Sequence, residues 1–152
     1  MANTYSQIYI QIVFAMEGRQ NLIDPKHNDD LQKYITGIVT KQNQKLIAVN
    51  NVPDHIHLVI GQRPDSALSD LVGDIKSGST NFINRQRWVK GRFNWQEGFG
   101  AFSYSRSQLD AVIRYVKNQQ KHHQRLSFRD EYVELLDKFE VPYDERYIFK
   151  LV

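Results

Sequence analysis

The sequence contains no cysteine. That excludes disulfides, thiolate metal sites and cysteine nucleophiles, and it suits a reducing compartment. Proline and glycine are sparse, at four and eight residues, and no Pro/Gly/Ser-rich linker, repeat or low-complexity tract divides the chain. No stretch approaches the roughly 20 apolar residues that span a bilayer. The first residues, MANTYSQIYIQIVF, alternate polar and apolar side chains rather than placing a basic region before an apolar run, so no signal peptide is expected. The expectation is a soluble, intracellular protein. Charge is nearly balanced, with 20 Lys and Arg against 17 Asp and Glu, which permits an anionic partner without demanding one. The 152 residues predict one domain over 1–152, large enough to fold around its own core.

Aromatic residues are plentiful at 12% of the chain, and hydrophobic spacing lays out the elements. Tyr5 to Phe14 alternates, with Ser6, Ile8, Ile10, Ile12 and Phe14 on a largely apolar face, which predicts a half-buried strand. Asp29 to Gln44 carries Leu31, Tyr34, Ile35, Ile38 and Val39 at helical spacing. Leu46–Val52 and His55–Ile60 read as a hairpin about the Pro53-Asp54 turn, and Ala67–Gln86 as a second helix with a continuous apolar face. A short strand over 101–105 precedes a third helix, Gln108 to Arg125, opened by a Ser107/Asp110 capping box. A last helix is predicted over 128–139. The order β-α-β-β-α-β predicts an α+β, ferredoxin-like fold: a four-stranded antiparallel sheet with helices on one face, plus an additional C-terminal helix. That fold hosts many functions, so function must be read from a site.

Two places carry chemistry. In His55-Ile56-His57 the histidines are two apart on a strand, so both imidazoles leave the same face about 6–7 Å apart at their bases and can share an ion. An isolated pair of this kind is more commonly two surface or hydrogen-bonded histidines on an amphipathic strand. As a ligand on the strand's open face, His57 is expected to be replaceable by Ala with folding intact, because strand-face histidines are rarely core. On the third helix Leu109, Val112, Ile113 and Val116 form the core stripe, and Tyr115, Gln119 and His122 run along its flank. A tyrosine there commonly packs. Here its neighbour one turn on is an amide oxygen, a hard metal ligand, and Arg114, Lys117, Lys121, His122, His123 and Arg125 surround it. Gly73 to Thr80 nearly spells a phosphate-binding loop, but Ser79 stands at the lysine position and the segment lies within a helical pattern.

The segment Pro53-Asp54-His55-Ile56-His57-Leu58 resembles the signature of His-hydrophobe-His endonucleases. Tyr115 through His123 resembles the nucleophile helix of single-tyrosine transposases of the insertion-sequence 200/605 class. The strand Tyr9 to Phe14, the Trp95-Gln96-Glu97-Gly98-Phe99 stretch and the length fit as well. One departure is Gln120-Lys121, where an acidic residue is expected. The resemblance implies Tyr115 as the nucleophile, His55, His57 and Gln119 as ligands of Mg²⁺ or Mn²⁺, and cleavage and rejoining of single-stranded DNA. The tyrosine would join the 5′ phosphate and free a 3′ hydroxyl. It further implies hairpin recognition at element ends, a homodimer whose nucleophile helix can dock on the partner subunit, and a prokaryotic, cytoplasmic protein acting at the nucleoid.

Such chemistry needs no nucleotide hydrolysis, because a phosphotyrosine keeps the bond energy for rejoining. Reaching the phenolate of a tyrosine with pKa about 10 costs on the order of 4 kcal/mol at pH 7, which a cation-rich site can offset in part. For DNA contact, Arg85, Arg87, Trp88, Lys90, Arg92 and Trp95 interleave cations and aromatics in the manner of single-strand binders. Lys117, Lys121 and His122 extend the set beside the tyrosine, and Lys76, Ser79 and Asn84 are further candidates. The competing reading is a non-catalytic, hairpin-binding module of the same fold. A replication initiator or relaxase would be larger, and a metal hydrolase would survive loss of Tyr115.

Overall fold

The computed structural model describes residues 3–18 and 22–149. Its elements are β1 (Tyr9–Ala15), α1 (Asn28–Lys41), β2 (Lys45–Val52), β3 (His55–Gly61), α2 (Leu68–Gln86), β4 (Gly100–Tyr104), α3 (Leu109–Lys117), α4 (Gln119–Arg125) and α5 (Phe128–Lys138). The strands form one antiparallel sheet in the order β2-β3-β1-β4. Each helical crossover skips one strand, β3 lying between β1 and β2 and β1 between β3 and β4, which is the ferredoxin-like arrangement expected from the sequence.

Period-two alternation assigns the two faces. Ile12, Phe14, Ile56, Leu58 and Ile60 meet Leu31, Ile35 and Val39 of α1 and Leu71, Val72, Ile75 and Ile83 of α2 in the main core. Gly78 lets those helices approach: a Cβ there would lie 2.7 Å from Cδ1 of Ile38. The near-miss phosphate loop is therefore a helix-packing segment. The opposite face carries Gln11, Val13, His55, His57, Val59, Ala48 and Asn50, as the strand register requires. It is covered as well. Leu109, Val112 and Val116 of α3 pack on Ala48 and Val59, and Phe128, Tyr132, Leu135 and Leu136 of α5 join Val13 and Phe102. Gly100 of β4 leaves room for α5, since a Cβ would lie 2.6 Å from the Tyr132 ring.

Three local differences from the sequence reading have physical causes. β1 is buried on both faces, with Gln11 and Val13 both at 0% exposure, because α3 to α5 cover the side expected to be open. The capping box forms two residues early: Ser105 N–H donates to Oε1 of Gln108 at 3.0 Å, ahead of a short 3₁₀ turn. The helix expected from 108 to 125 breaks at Asn118, between Tyr115 and Gln119. Nδ2 of Asn50 on β2 donates to the carbonyls of Val116 (3.0 Å) and Lys117 (3.2 Å), supplying partners for carbonyls that a helix end leaves open.

Candidate active site and metal centre

The site lies on the second face, where β3, the α3–α4 break and α5 converge. His55 and His57 point the same way, with ring centroids 5.1 Å apart. They are not surface histidines, at 1% and 0% exposure. The expectation that His57 can be removed without cost to folding is corrected, since its loss would leave buried partners unsatisfied.

The residue at the centre of the site escaped sequence reading. Glu131 of α5 is 4% exposed. Its Oε1 lies 3.2 Å from Nε2 of His57 and 3.3 Å from Nε2 of His55. Its Oε2 accepts from the Tyr115 hydroxyl and, at 3.0 Å, from Nε2 of Gln119. Oε1 of Gln119 lies 2.9 Å from Nε2 of His55, and Gln119 is itself fully buried. The structure thus brings together Tyr115, His55, His57 and Gln119 within one chain, around a carboxylate. A signal was present: Glu131 sits three residues after Phe128 and four before Leu135, on the buried stripe of α5, and an acid on an apolar stripe calls for a buried partner.

The outer nitrogens of the histidines are held too. Nδ1 of His55 is 2.7 Å from Oδ1 of Asp54, and Phe128 stacks on its ring at 4.2 Å. Nδ1 of His57 meets the side-chain amide of Gln11 at 2.9 Å, and Gln11 accepts from the Tyr104 hydroxyl at 2.7 Å. Burial opposes charge on His55, but the hydrogen bonds to Asp54 and Glu131 outweigh it and raise its pKa to about 9. Burial lowers the pKa of His57. For Glu131 burial works the other way, yet its histidine partners hold the carboxyl well below the usual range. Burial, then the Glu131 charge, pushes the Tyr115 hydroxyl well above its ordinary value.

The donor set fits a divalent cation. Ligand atoms of His55, His57 and Glu131 lie within 4.8 Å of one another, Gln119 adds an amide oxygen, and mixed nitrogen and oxygen donors suit Mg²⁺ or Mn²⁺. Asp54 forms a second such group with His55 and His123; bound to Nδ1 of His55, it orients that ring rather than facing the centre. Gln11 has the same place behind His57, and outer-shell partners commonly govern 10–100-fold in metal affinity. Gln11→Leu is therefore expected to weaken Mn²⁺ binding about tenfold by calorimetry. Unchanged affinity would leave Gln11 as a packing residue only.

The residues expected to contact DNA fall into separate groups. Arg85, Arg87, Lys90 and Arg92 are exposed, and Arg85 and Arg92 line a cleft of about 540 Å³ with Tyr34, Asn81 and Asn84. That cleft belongs to α1 and α2, across the sheet from the histidines. Trp88 is half-buried and stacks on His27 at 4.3 Å. Trp95 is corrected from a base-stacking residue to a core anchor, 7% exposed, its indole N–H donating to Oγ of Ser79 at 3.0 Å. Lys76, Ser79 and Asn84 are likewise committed to local structure. Lys117 and Lys121 are exposed beside the site, and the His122 ring lies 4.7 Å from that of Tyr115. A cavity of about 250 Å³ opens on Tyr115, lined also by Tyr104, Gln108 and Lys138.

Comparisons with known proteins bear on the family and the fold. A curated relative, the ISDra2 transposase TnpA of Deinococcus radiodurans, is 19% identical over 74% of this chain and 84% of its own length. A crystal structure from Deinococcus radiodurans R1, of a protein assigned as a transposase, superposes with a TM-score of 0.59 at 20% identity, over 78% of this chain and 95% of that one. The structure of a REP-associated tyrosine transposase bound to a REP hairpin superposes with a TM-score of 0.62 at 12% identity, over 100% of this chain and 92% of that one. The family described as IS200-like transposases matches residues 4–119, and the chain belongs to that family.

Proposed function

We propose that this transposase cuts and rejoins single-stranded DNA through a covalent 5′-phosphotyrosine on Tyr115, with Mg²⁺ or Mn²⁺ held by His55, His57, Gln119 and Glu131. The observation that carries the reading is the convergence on Glu131: one carboxylate touches both histidines, the glutamine and the tyrosine hydroxyl. A half-buried tyrosine that merely packs needs no such company. A divalent ion bound there supplies positive charge that neutralises the scissile phosphate.

The chain's own residues account for the rest. The Tyr115 hydroxyl donates to Glu131. When a phosphodiester displaces that contact, Tyr115 Oη forms a bond to phosphorus. The P–O3′ bond breaks, the tyrosine proton passes to surrounding base or water, and the departing oxygen leaves as a 3′ hydroxyl. Attack by a 3′ hydroxyl on the phosphotyrosine reverses the sequence and rejoins DNA. Lys117 and Lys121, exposed on the nucleophile helices, and Lys138, on the wall of the tyrosine cavity, are placed to contact the phosphate backbone. The exposed cations around α2 suit a second stretch of DNA, such as the stem of a hairpin. Homodimerisation would bring two DNA ends together.

The test is incubation with labelled single-stranded DNA containing a hairpin and Mg²⁺ or Mn²⁺, followed by a denaturing protein gel. A label that stays with the protein and is lost with chelator is expected. Retention in native gels without a covalent band, across both metals, would make this a binding protein only.

A further inference from the structure

The break between α3 and α4 sits between the proposed nucleophile and the proposed amide ligand, and a reciprocal amide pair closes on it. Nδ2 of Asn50 donates to Oε1 of Gln120 at 2.8 Å, and Nε2 of Gln120 donates back to Oδ1 of Asn50 at 3.0 Å and to the carbonyl of Asn51 at 3.2 Å. The same Asn50 amide reaches the last carbonyls of α3. Asn50 is 8% exposed and stands directly opposite His57 in the β2–β3 register. Asn51 is anchored in turn to α1, through Gln32 and Asn28 at 2.8 Å each. A line of amides thus runs from α1 over β2 to the first turn of α4. Gln120, conspicuous in the sequence as a departure from the expected acid, is the end of that line.

Resting on the metal-and-tyrosine reading above, we infer that Asn50 and Gln120 are positioning residues: they clamp the α3–α4 break to the sheet, so that Tyr115 and Gln119 meet His55 and His57. The argument is geometric. Tyr115 and Gln119 are four residues apart, and a continuous helix would fix their relation. With the helix broken at Asn118, the start of α4 is set by its side-chain contacts, those of Gln119 with His55 and Glu131 and those of Gln120 with Asn50. Asn50 grows from the strand paired with the histidine strand. A carboxylate at position 120 could accept from Asn50 but could not donate to Oδ1 of Asn50 or to the Asn51 carbonyl, so glutamine is the residue that completes the pair.

Hydrogen exchange tests the clamp without reference to activity. In Asn50→Ala the amides of 118, 121 and 122, bonded across the break, are expected to exchange at least tenfold faster, while those of β1 and β3 stay protected. Surface Gln120→Ala should give a smaller effect at the same amides, and keeps the test open if Asn50→Ala fails to fold. Uniform acceleration, or none, overturns the clamp. Mn²⁺ titration adds a reading that a general loss of stability would not produce. Asn50→Ala should weaken binding about tenfold, and Asn50→Ala with Gln119→Ala should bind no worse than Gln119→Ala alone; additive losses overturn the link to Gln119. Should the wild type bind no Mn²⁺, the metal reading falls and the exchange data alone decide the clamp.

Discussion

Tyr115→Phe is expected to lower the yield of covalent DNA adduct by more than about a thousandfold, the scale on which removal of a nucleophile acts, while hairpin binding and Mn²⁺ affinity stay within about threefold. The ring packs against His57, with centroids 5.8 Å apart, and phenylalanine keeps that contact. Only the hydroxyl is lost, and with it one of the donors to Glu131. Glu131 retains Gln119 and both histidines, so the fold should lose no more than about 1–2 kcal/mol, read as a modest drop in Tm. The control is Tyr104→Phe. Tyr104 lines the same cavity, but its hydroxyl is spent on Gln11 and burial raises its pKa to about 12. An adduct that survives Tyr115→Phe and disappears in Tyr104→Phe would keep the chemistry and move the nucleophile.

The sequence made some of this site plain and concealed the rest, for reasons that lie in the residues. His55 and His57 were legible because a strand's period of two fixes their common direction whatever the tertiary structure. The main core was legible for the same reason, the periods of α1 and α2 matching the apolar face of β1 and β3. Burial of the histidines was not, because it depends on α5 folding back over the second face, a long-range event that no local pattern encodes. Glu131 was lost with it: its role exists only once α5 lies against β3, 74 residues away in the chain. Helical spacing puts Tyr115 and Gln119 on one flank and the resemblance implies their roles, yet the helix is interrupted between them, where an amide from β2 bonds its last carbonyls. Trp95 misled in the opposite direction. Aromatic residues among cations suit a single-strand surface, but Trp95 reaches Phe14 and Phe93 at 4.7 and 5.0 Å, and the burial of so large a ring prevails over a surface role.

Proton competition gives the second large effect: Mn²⁺ affinity is expected to rise about fiftyfold between pH 7 and pH 9. An imidazole binds a cation only after losing the proton on the ligating nitrogen. His55 keeps that proton up to about pH 9 in the metal-free protein, because the bonds to Asp54 and Glu131 outweigh the burial that opposes its charge. Each pH unit below that value therefore costs about tenfold in affinity. His57 adds little to the slope, since burial holds its pKa down. Stability of the metal-free protein should move the other way. A folded pKa raised above the unfolded value near 6.5 contributes stability that is full below pH 6.5 and is lost as pH rises through 9. Unscreened, that contribution is about 3 kcal/mol. The carboxyl of Glu131, depressed by the same partners, contributes above the ordinary carboxylate range and is lost only on acidification. Melting in chelator should thus decline from pH 6.5 to pH 9, while melting with excess Mn²⁺ should hold or rise, so that the gap between the two curves widens with pH. Asp54→Asn, which takes away one of the two carboxylates, should shift the onset of tight binding to lower pH. Parallel melting curves would mean that the ion does not bind through His55.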